Sequence, residues 1–222
     1  MRQSIVISVV VAAALGGPAN AQMVPPPDWK WALDRPAQLV NSQFSQAVPD
    51  TEFRFVMMPP GYHVTTGPAA SLFHPAHRAE GIFTLESEFF LFPNSTDGEY
   101  GLFIGGADLE GDARAYTAFV ARRDGATAVL RRTGATTTPL VAWTRHDSVK
   151  ALSASDAVKN VVRVAVERAA VVFSVNGAEV ARVPRDSIAT DGLFGFRMGE
   201  GVNLHVTTLD YTRRLAPPRA AR

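Results

Sequence analysis

The sequence contains no cysteine. This absence removes thiol nucleophiles, Cys-ligated zinc and thiol redox chemistry from the candidate functions. An excess of charge of one sign is also missing, because the formal net charge is only +1. Binding to a phosphate backbone needs a clear basic excess, so the composition argues against nucleic acid as a partner. The sequence has no Gly-x-Ser-x-Gly elbow and no phosphate or dinucleotide loop, which argues against serine hydrolase chemistry and nucleotide binding.

Long apolar runs are scarce, and the one strong run lies near the first residue. Ile5 to Leu15 is almost wholly apolar, Arg2 precedes it, and Ala19-Asn20-Ala21 has the small-x-small pattern that a signal peptidase reads. We therefore expect a signal peptide over residues 1–21 and a periplasmic or secreted protein; a retained membrane anchor is the alternative. No transmembrane segment is expected after signal removal. About 200 residues then remain, enough for one all-β domain that buries a sizeable core without disulfides.

Strand-like alternation is what the sequence has in quantity. Val162, Val164 and Val166 alternate with less apolar residues, which is the period of a half-buried strand. Asn176-Gly177 predicts a tight hairpin turn within the same stretch, because both central positions of a type I′ turn need a positive φ. Asp124-Gly125 is a second hairpin signal of this kind.

Ile82 to Phe92 has the clearest two-sided pattern. Its two faces are Phe83, Leu85, Ser87, Phe89 and Leu91 on one side and Thr84, Glu86, Glu88, Phe90 and Phe92 on the other. Further strands are predicted at Glu52–Met58, Tyr100–Gly106, Ala115–Arg123, Ala126–Arg132, Leu140–Trp143 and near Val202–Tyr211. Phe73 to Gly81 is predicted to be a loop, and Gly192, Gly195, Gly199 and Gly201 are predicted to mark bends.

The predicted organisation is a lead-in segment over residues 22–50, a β-sandwich domain over residues 51–212 and a disordered tail over residues 213–222. In the lead-in, Trp29 and Trp31 lie one residue apart and would share a face. We expect them to cover an end of the core, with a sugar-stacking platform as the alternative. A short helix between Asp34 and Ala47 is one interpretation of the apolar spacing there.

Two groups of motifs carry a family resemblance. One is the strand, Asn176-Gly177 turn, strand and then Asp191-Gly192-Leu193-Phe194-Gly195-Phe196; the other is Tyr100 to Gly106 followed by Tyr116 and Asp124-Gly125. Together they resemble the concanavalin A-like lectin/glucanase superfamily, which includes laminin-G-like modules and a secreted bacterial domain labelled 3-keto-disaccharide hydrolase. His63 to Pro68 is also similar to a stretch in a group of periplasmic proteins without a settled function. The resemblance implies an all-β, two-sheet antiparallel jelly-roll sandwich from about Glu52 to Tyr211. This fold hosts both binders and hydrolases.

Glu86 and Glu88 are the candidate catalytic residues. On one strand face they would lie roughly 6.6 Å apart, a separation compatible with an inverting glycosidase, which needs about 6.5–9.5 Å between its carboxyl groups. Laminarinase-type members of the superfamily carry Glu-x-Asp-x-x-Glu on one strand, and this sequence lacks the central Asp and the later Glu. The alternative is a polar sheet face on which these acids pair with Arg163 or Arg197.

Three acids in the loop after the Tyr100 strand are the weak metal candidates. Asp108, Glu110 and Asp112 could ligate calcium, which prefers several oxygen ligands. The resemblance to laminin-G-like modules, which often hold calcium at a sheet rim, favours the same interpretation. His74 and His77, with His63, could alternatively bind a metal, contact a ligand or be ordinary loop histidines. No other cofactor is expected.

The first functional hypothesis is non-catalytic binding of a glycan or another extracytoplasmic ligand, on the concave sheet or its rim. The ligand-binding candidates are Tyr62, His63, Trp143 and Arg197, together with Glu86 and Glu88. The second hypothesis is a glycoside hydrolase or lyase with Glu86 and Glu88 as acid and base. The third is an envelope structural or assembly module without a small ligand.

Overall fold

The structure, a computed structural model, describes residues 25–35, 38–39 and 52–214. The predicted signal peptide, most of the lead-in segment and most of the predicted tail lie outside the described residues. The predicted helix between Asp34 and Ala47 also falls largely outside them; within that stretch, Gln38–Leu39 forms a short strand. The described part of the chain contains no helix with the length and apolar character needed to cross a bilayer.

Strands dominate the described residues, and the one helical element there is a 3-10 turn at Arg185–Ser187. The sixteen strands are β1 (Lys30–Leu33), β2 (Gln38–Leu39), β3 (Glu52–Met57), β4 (Tyr62–Thr65), β5 (Ala70–Ala79), β6 (Phe83–Leu91), β7 (Tyr100–Ala107), β8 (Ala115–Ala121), β9 (Ala126–Thr133), β10 (Thr136–Arg145), β11 (Val158–Val166), β12 (Ala170–Val175), β13 (Ala178–Pro184), β14 (Gly192–Met198), β15 (Asn203–Val206) and β16 (Asp210–Arg213).

The strands form two sheets. The first sheet has the order β1-β5-β14-β7-β8-β9-β10, and the second has the order β13-β12-β11-β6-β15-β4-β3-β2, with β16 also paired to β6. All pairings are antiparallel except that of β2 with β3. The all-β two-sheet jelly-roll sandwich predicted from the sequence is therefore confirmed.

The two sheets meet in one apolar core. β6 alternates buried and half-buried residues along its whole length, as its sequence predicted, and Phe83, Leu85, Phe89 and Leu91 point inward with at most 1% exposure. Burying each such side chain contributes about 1.5–3 kcal/mol. Trp29 closes one part of the core by stacking on Phe196, with ring centroids 5.5 Å apart and planes 4° apart. The interpretation of Trp29 as a core residue is thus confirmed.

Both predicted hairpin turns are present. Asn176 and Gly177 have φ angles of 51° and 86°, which is the backbone that a type I′ turn demands, and they join β12 to β13. At the other turn only Gly125 has a positive φ, 85°, and the chain reverses over Arg122 to Gly125 before β9 begins. Asp124-Gly125 therefore closes a longer turn than a two-residue type I′ loop.

Two predictions in the second half of the chain need correction. Gly192 and Gly195 lie inside strand β14. A Cβ on Gly195 would lie 2.1 Å from the carbonyl oxygen of Leu72, so glycine is required there by the close approach of β5 rather than by a bend. The predicted last strand is two strands, β15 and β16, which pair with opposite ends of β6.

The predicted loop from Phe73 to Gly81 is also wrong for most of its length. Residues through Ala79 belong to β5, and the pairing with β14 skips from Phe73 to Arg78. His74 to His77 therefore form a bulge within the strand. Their mixed composition resembled a loop because a bulge interrupts the alternation on which strand prediction depends.

Candidate functional site

The outer face of the first sheet, the face turned away from the second sheet, is buried over β5, β7, β8 and β9, whereas the edge strand β10 is largely exposed. It carries an apolar cluster of Phe73, Phe103, Leu109, Tyr116, Ala118, Val120, Ala128 and Leu130, none more than 9% exposed. The loop between β7 and β8 folds over it: Leu109 packs into the cluster, and Glu110 forms an ion pair with Lys30 on the edge strand at 2.8 Å. A soluble ligand therefore has little access to this face.

Arg197, a predicted ligand-binding residue, lies on this covered face and is 6% exposed. Its Nε donates to Glu99 at 3.0 Å, its Nη2 to Asp34 at 2.8 Å and its Nη1 to the Tyr116 hydroxyl at 3.2 Å. Burial alone would lower the pKa of Arg197, but Tyr116, Glu99 and Asp34 outweigh it and raise the pKa above its usual value. The guanidinium is thus permanently charged and held by protein groups.

Two more predicted ligand-binding residues lie away from any exposed sheet face. Trp143 on β10 packs against the apolar cluster of the first sheet, with the Arg122 guanidinium 4.2 Å from its ring centroid. Tyr62 on β4 points toward the core, where its ring lies 5.2 Å from Trp29 and 5.4 Å from Phe55. The structure therefore does not bring Tyr62, Trp143 and Arg197 together with the remaining candidates.

The outer face of the second sheet is different over β4, β15, β6 and the start of β11, because the outward side chains there are half-buried or exposed, whereas those of β12 are buried. Strand register places His63, His205, Phe90 and Lys159 side by side on β4, β15, β6 and β11. The Phe90 ring centroid lies 6.4 Å from that of His205 and 5.7 Å from Nζ of Lys159. We call this surface, with the polar residues on either side of the row, the outer polar face.

The row beside it adds amide and hydroxyl groups. Register aligns Thr65 with Asn203, and the Asn203 amide donates to Oδ1 of Asn94 at 2.7 Å. Phe92 follows β6 on the same side and lies 5.7 Å from the His63 ring. The outer polar face thus combines aromatic rings with neutral hydrogen-bonding groups.

Two histidines lie on this face, and one of them, His63, differs electrically from an exposed histidine. Burial, followed by the charges of His205 and Arg54, lowers the pKa of His63 to about 4. Nε2 of His205 lies 2.7 Å from the carbonyl oxygen of Pro60, to which it donates. His63 is therefore neutral at pH 7.

Glu86 and Glu88 lie on the outer polar face, as their alternation predicted, and each is paired with a cation. Glu86 lies 3.6 Å from Arg163, and Glu88 lies 2.8 Å from Lys159 and accepts from the Thr207 hydroxyl at 3.1 Å. The hydrogen bond from Lys159, with one from Thr207, lowers the pKa of Glu88 despite opposition from burial. The predicted pairing with Arg163 is confirmed, whereas Arg197 lies on the other sheet.

Two of the three candidate metal ligands, Asp108 and Glu110, have protein partners. Oδ2 of Asp108 accepts from the backbone of Ala113 at 3.1 Å, and Glu110 is paired with Lys30. Among the described residues no group of three or more His, Asp or Glu side chains could hold a metal ion. Calcium binding through Asp108, Glu110 and Asp112 therefore gains no support from the structure.

His74 and His77, the other metal candidates, lie in the β5 bulge with ring centroids 4.7 Å apart. The His77 ring stacks on Phe194 at 5.3 Å and meets Trp29 edge-on at 5.4 Å. Burial, followed by the charge of His74, lowers the pKa of His77. This pair packs as an aromatic group at the sheet rim.

Sequence reasoning named none of the central members of the outer polar face as site residues, although it placed Phe90 beside Glu86 and Glu88 and His205 beside Asn203; these members are Phe90, His205, Asn203 and Lys159. One signal was present: the alternation of Ile82 to Phe92 places two phenylalanines on an otherwise polar side. The neighbours of Phe90 could not be found in this way, because β6, β11 and β15 are far apart in the sequence and only their pairing unites them.

No family model matches the chain, and no curated protein matches it. Among solved structures, it is similar to the carbohydrate-binding module CBM66 from Bacillus subtilis, with a TM-score of 0.58, 10% identity and coverage of 82% of this chain and 95% of that one. A Bacillus subtilis protein of unknown function with a galectin-like fold has a TM-score of 0.57, 13% identity and coverage of 83% and 88%. A GH16 protein from Bacteroides ovatus, solved with a G4G4G3G product, has a TM-score of 0.56, 7% identity and coverage of 86% and 97%. The chain therefore has the concanavalin A-like jelly-roll fold that its turns and strands resembled.

Proposed function

We propose that this protein is an exported, non-catalytic glycan-binding module whose binding surface is the outer polar face of the second sheet. The observation that carries the proposal is the row in which the half-buried ring of Phe90 lies between His205 and Lys159, with Glu88 and Asn203 on neighbouring rows. A sugar ring offers an apolar face and several hydroxyl groups. The aromatic ring suits the first, and carboxylate, amide and imidazole groups suit the second.

The similar structures support this choice of ligand class. One is a carbohydrate-binding module and another was solved with an oligosaccharide product. Their identities of 10% and 7% carry the fold only, so the ligand assignment here depends on the residues of the outer polar face.

The state of the two glutamates supports binding rather than hydrolysis. Glycoside hydrolysis needs one carboxyl group that holds a proton near neutral pH, which requires a raised pKa. Glu88 has a lowered pKa because Lys159 and Thr207 stabilise its ionised form, and Glu86 is paired with Arg163. The ionised Glu88 is therefore a hydrogen-bond acceptor for sugar hydroxyls.

Export is the second half of the proposal, and the pattern of residues 1–21 supports it. Expression of the full chain in a Gram-negative host, followed by periplasmic extraction, tests it directly. The expected mature protein begins at Gln22, as read by intact mass. A cytoplasmic product that retains Met1 would contradict this half without affecting the binding proposal.

The binding test is an oligosaccharide array, followed by calorimetric titration of the best ligand. Phe90→Ala is expected to weaken binding about tenfold, since the lost ring contact is worth about 1.4 kcal/mol. Trp143→Ala is the matched control, because it removes a half-buried aromatic from the opposite side of the sandwich and is expected to leave the affinity unchanged. The same mixtures are assayed for newly released reducing ends.

Three results would contradict the proposal. They are silence from every glycan, loss of binding in Trp143→Ala but not in Phe90→Ala, and hydrolysis that disappears in Glu88→Gln or Glu86→Gln. The last result would establish the hydrolase alternative instead.

A further inference from the structure

A cavity of about 660 Å³ opens where the second sheet ends, beside the starts of β6 and the turn from β11 to β12. Its size is within the range of about 300–1,000 Å³ typical of small-molecule sites. Thr84 and Ala165, cross-strand neighbours on the outer side of the sheet, contribute to its lining. Four arginines and a single carboxylate, that of Glu167, supply its charged groups.

Two of these four arginines are neutralised by carboxylates. Arg163 lies 3.6 Å from Glu86, and Arg213 lies 2.8 Å from Glu80. Glu167 lies 3.6 Å from Arg182, which also pairs with Glu179 at 2.7 Å, so this group of one cation and two carboxylates retains one negative charge.

The remaining two arginines, Arg168 and Arg214, are exposed, and in the part of the chain that the structure describes their guanidinium groups have no ion pair or hydrogen bond. Both line the cavity, and after the one negative charge left around Arg182 is subtracted, the lining carries about one uncompensated positive charge. Arginine is rarely clustered without counter-charges unless an anion is to be bound, because like charges in one cavity repel.

A third arginine without an ion pair among the described residues, Arg185, lies against the backbone of the cavity lining. Nη1 of Arg185 donates to the carbonyl oxygen of Glu167 at 3.3 Å, and its Nη2 donates to the carbonyl oxygen of Gly81 at 2.9 Å. Both carbonyls belong to cavity-lining residues, and no carboxylate among the described residues lies within ion-pair distance of Arg185. Arg185 therefore fixes the cavity wall and adds to its positive potential.

We propose that this cavity binds the acidic group of an anionic glycan, a carboxylate or a sulfate ester. This inference rests on the proposed glycan function and specifies its ligand class. Arginine forks match the planar or tetrahedral oxygens of these groups with paired hydrogen bonds. Arg163 connects the cavity to the outer polar face, because its partner Glu86 lies two residues from Glu88 on the same side of β6. One oligosaccharide chain can therefore run from the Phe90 row to the cavity.

Pairs of oligosaccharides that differ only in charge measure the contribution of the acidic group to the affinity. Oligogalacturonides are titrated beside their fully methyl-esterified forms, and sulfated dextran oligosaccharides beside unmodified dextran oligosaccharides, so that each pair has one skeleton with and without charge. The acidic member of at least one pair is expected to bind tenfold or more tightly at low salt, with a gap that narrows as salt is added. The two pairs distinguish the carboxylate from the sulfate.

The double variant Arg168→Gln/Arg214→Gln is expected to abolish the preference for the acidic ligand and to leave binding of the neutral ligand and the melting temperature unchanged. Arg145→Gln/Lys150→Gln is the control, because it removes two positive charges from exposed residues of β10 and the loop after it. This control is expected to retain the preference.

A spectroscopic readout separates the failure of this proposal from the failure of the proposed function. The side-chain Nε–H signals of Arg168 and Arg214 are followed by NMR during titration with glucuronate and, separately, with inorganic sulfate, and are expected to shift. Neutral glycan binding with no acidic preference and no shift overturns the cavity proposal and leaves the glycan module intact. Shifted signals without binding of any oligosaccharide overturn the glycan ligand of both proposals and leave an anion site of another kind.

Discussion

Replacement of Arg197 by methionine tests whether this buried guanidinium holds the fold or contacts a ligand. The side chain donates to Glu99, Asp34 and the Tyr116 hydroxyl at 3.0, 2.8 and 3.2 Å. A hydrogen bond in which one partner is ionised contributes about 1.5–3 kcal/mol, and the guanidinium is ionised in all three, so together they contribute about 4.5–9 kcal/mol. Methionine has a similar length but provides none of them.

Part of this loss is offset by the groups that remain. Asp34 keeps Arg132 at 3.4 Å and Arg114 at 3.7 Å, and the side chains of Asp34 and Glu99 are each 20% exposed, so water reaches both carboxylates. We therefore expect Arg197→Met to lower the free energy of unfolding by about 3–5 kcal/mol, the range found when one partner of a buried ion pair is removed. For a domain of this size that corresponds to a decrease in melting temperature of about 6–20 °C.

Urea denaturation followed by circular dichroism measures the effect, with Arg145→Met as the control. The Arg145 side chain is 75% exposed and has one ion pair, to Asp124 at 3.3 Å, so its replacement is expected to cost less than about 1 kcal/mol. Glycan affinity of the folded fraction is expected to be unchanged in both variants. An Arg197→Met protein as stable as wild type but unable to bind would refute the structural role and restore Arg197 as a ligand residue.

Three further predictions concern stability. The pKa of His63 is lowered to about 4 in the folded chain, below its unfolded value of 6.5, so the unfolded state takes up the proton first and stability falls as the pH drops from 6.5 toward 4. Between pH 7 and pH 5, the wild-type protein is expected to lose about 2 kcal/mol more of its free energy of unfolding than His63→Gln. Urea titrations in which the two proteins lose stability equally with pH would contradict this. Gly195→Ala places a Cβ 2.1 Å from the Leu72 carbonyl oxygen and is expected to lower the free energy of unfolding by about 3 kcal/mol. Gly177→Ala is expected to lower it by about 1 kcal/mol, because only the positive φ opposes a side chain there. Equal decreases in melting temperature for the two variants would show that β5 can move away from the added Cβ. Asn176→Gly keeps the turn backbone but loses side-chain hydrogen bonds to Val161, Ser148 and Asn160. Guanidinium denaturation is therefore expected to show a decrease of about 2 kcal/mol in the free energy of unfolding. An unchanged denaturation midpoint would mean that the stability of the turn depends on its φ angles alone.

The fold was predictable because its strongest signals are local. Alternation over Ile82–Phe92 and Val162–Val166 fixes which side chains face the core, and Asn176-Gly177 permits only a tight reversal. The errors came where a strand departs from regular geometry. The β5 bulge at His74 to His77 interrupts the alternation, and Gly195 has a role set by a backbone oxygen of a strand more than a hundred residues away.

The candidate site was harder to predict because its members come from different strands. Glu86 and Glu88 were named from the sequence and do lie on the outer polar face, because the alternation of Ile82–Phe92 assigned them to one side. His63 was also named and lies there, but on β4, a strand that was not predicted. Arg197 and Trp143 were named for their residue types alone, and the sequence does not reveal that they lie on the other sheet. The sheet to which a strand belongs depends on long-range pairing, and local periodicity contains no information about that pairing.

The difference between continuously apolar strands and alternating strands does indicate which strands can present a ligand site to solvent. β7 and β8 of the first sheet are apolar at nearly every position and buried at nearly every position, whereas β6 and β11 of the second sheet have regular alternation over most of their length. A strand with continuous apolar sequence must be covered on both faces, and one that alternates leaves a face to solvent. β12 of the second sheet is also buried at every position, so the contrast distinguishes strands rather than whole sheets. The covered outer face over β7 and β8 and the open outer face over β6 and the start of β11 follow from these two patterns. A ligand surface on this fold is expected where alternation persists and where, as at Phe90, it places an aromatic ring on the solvent side.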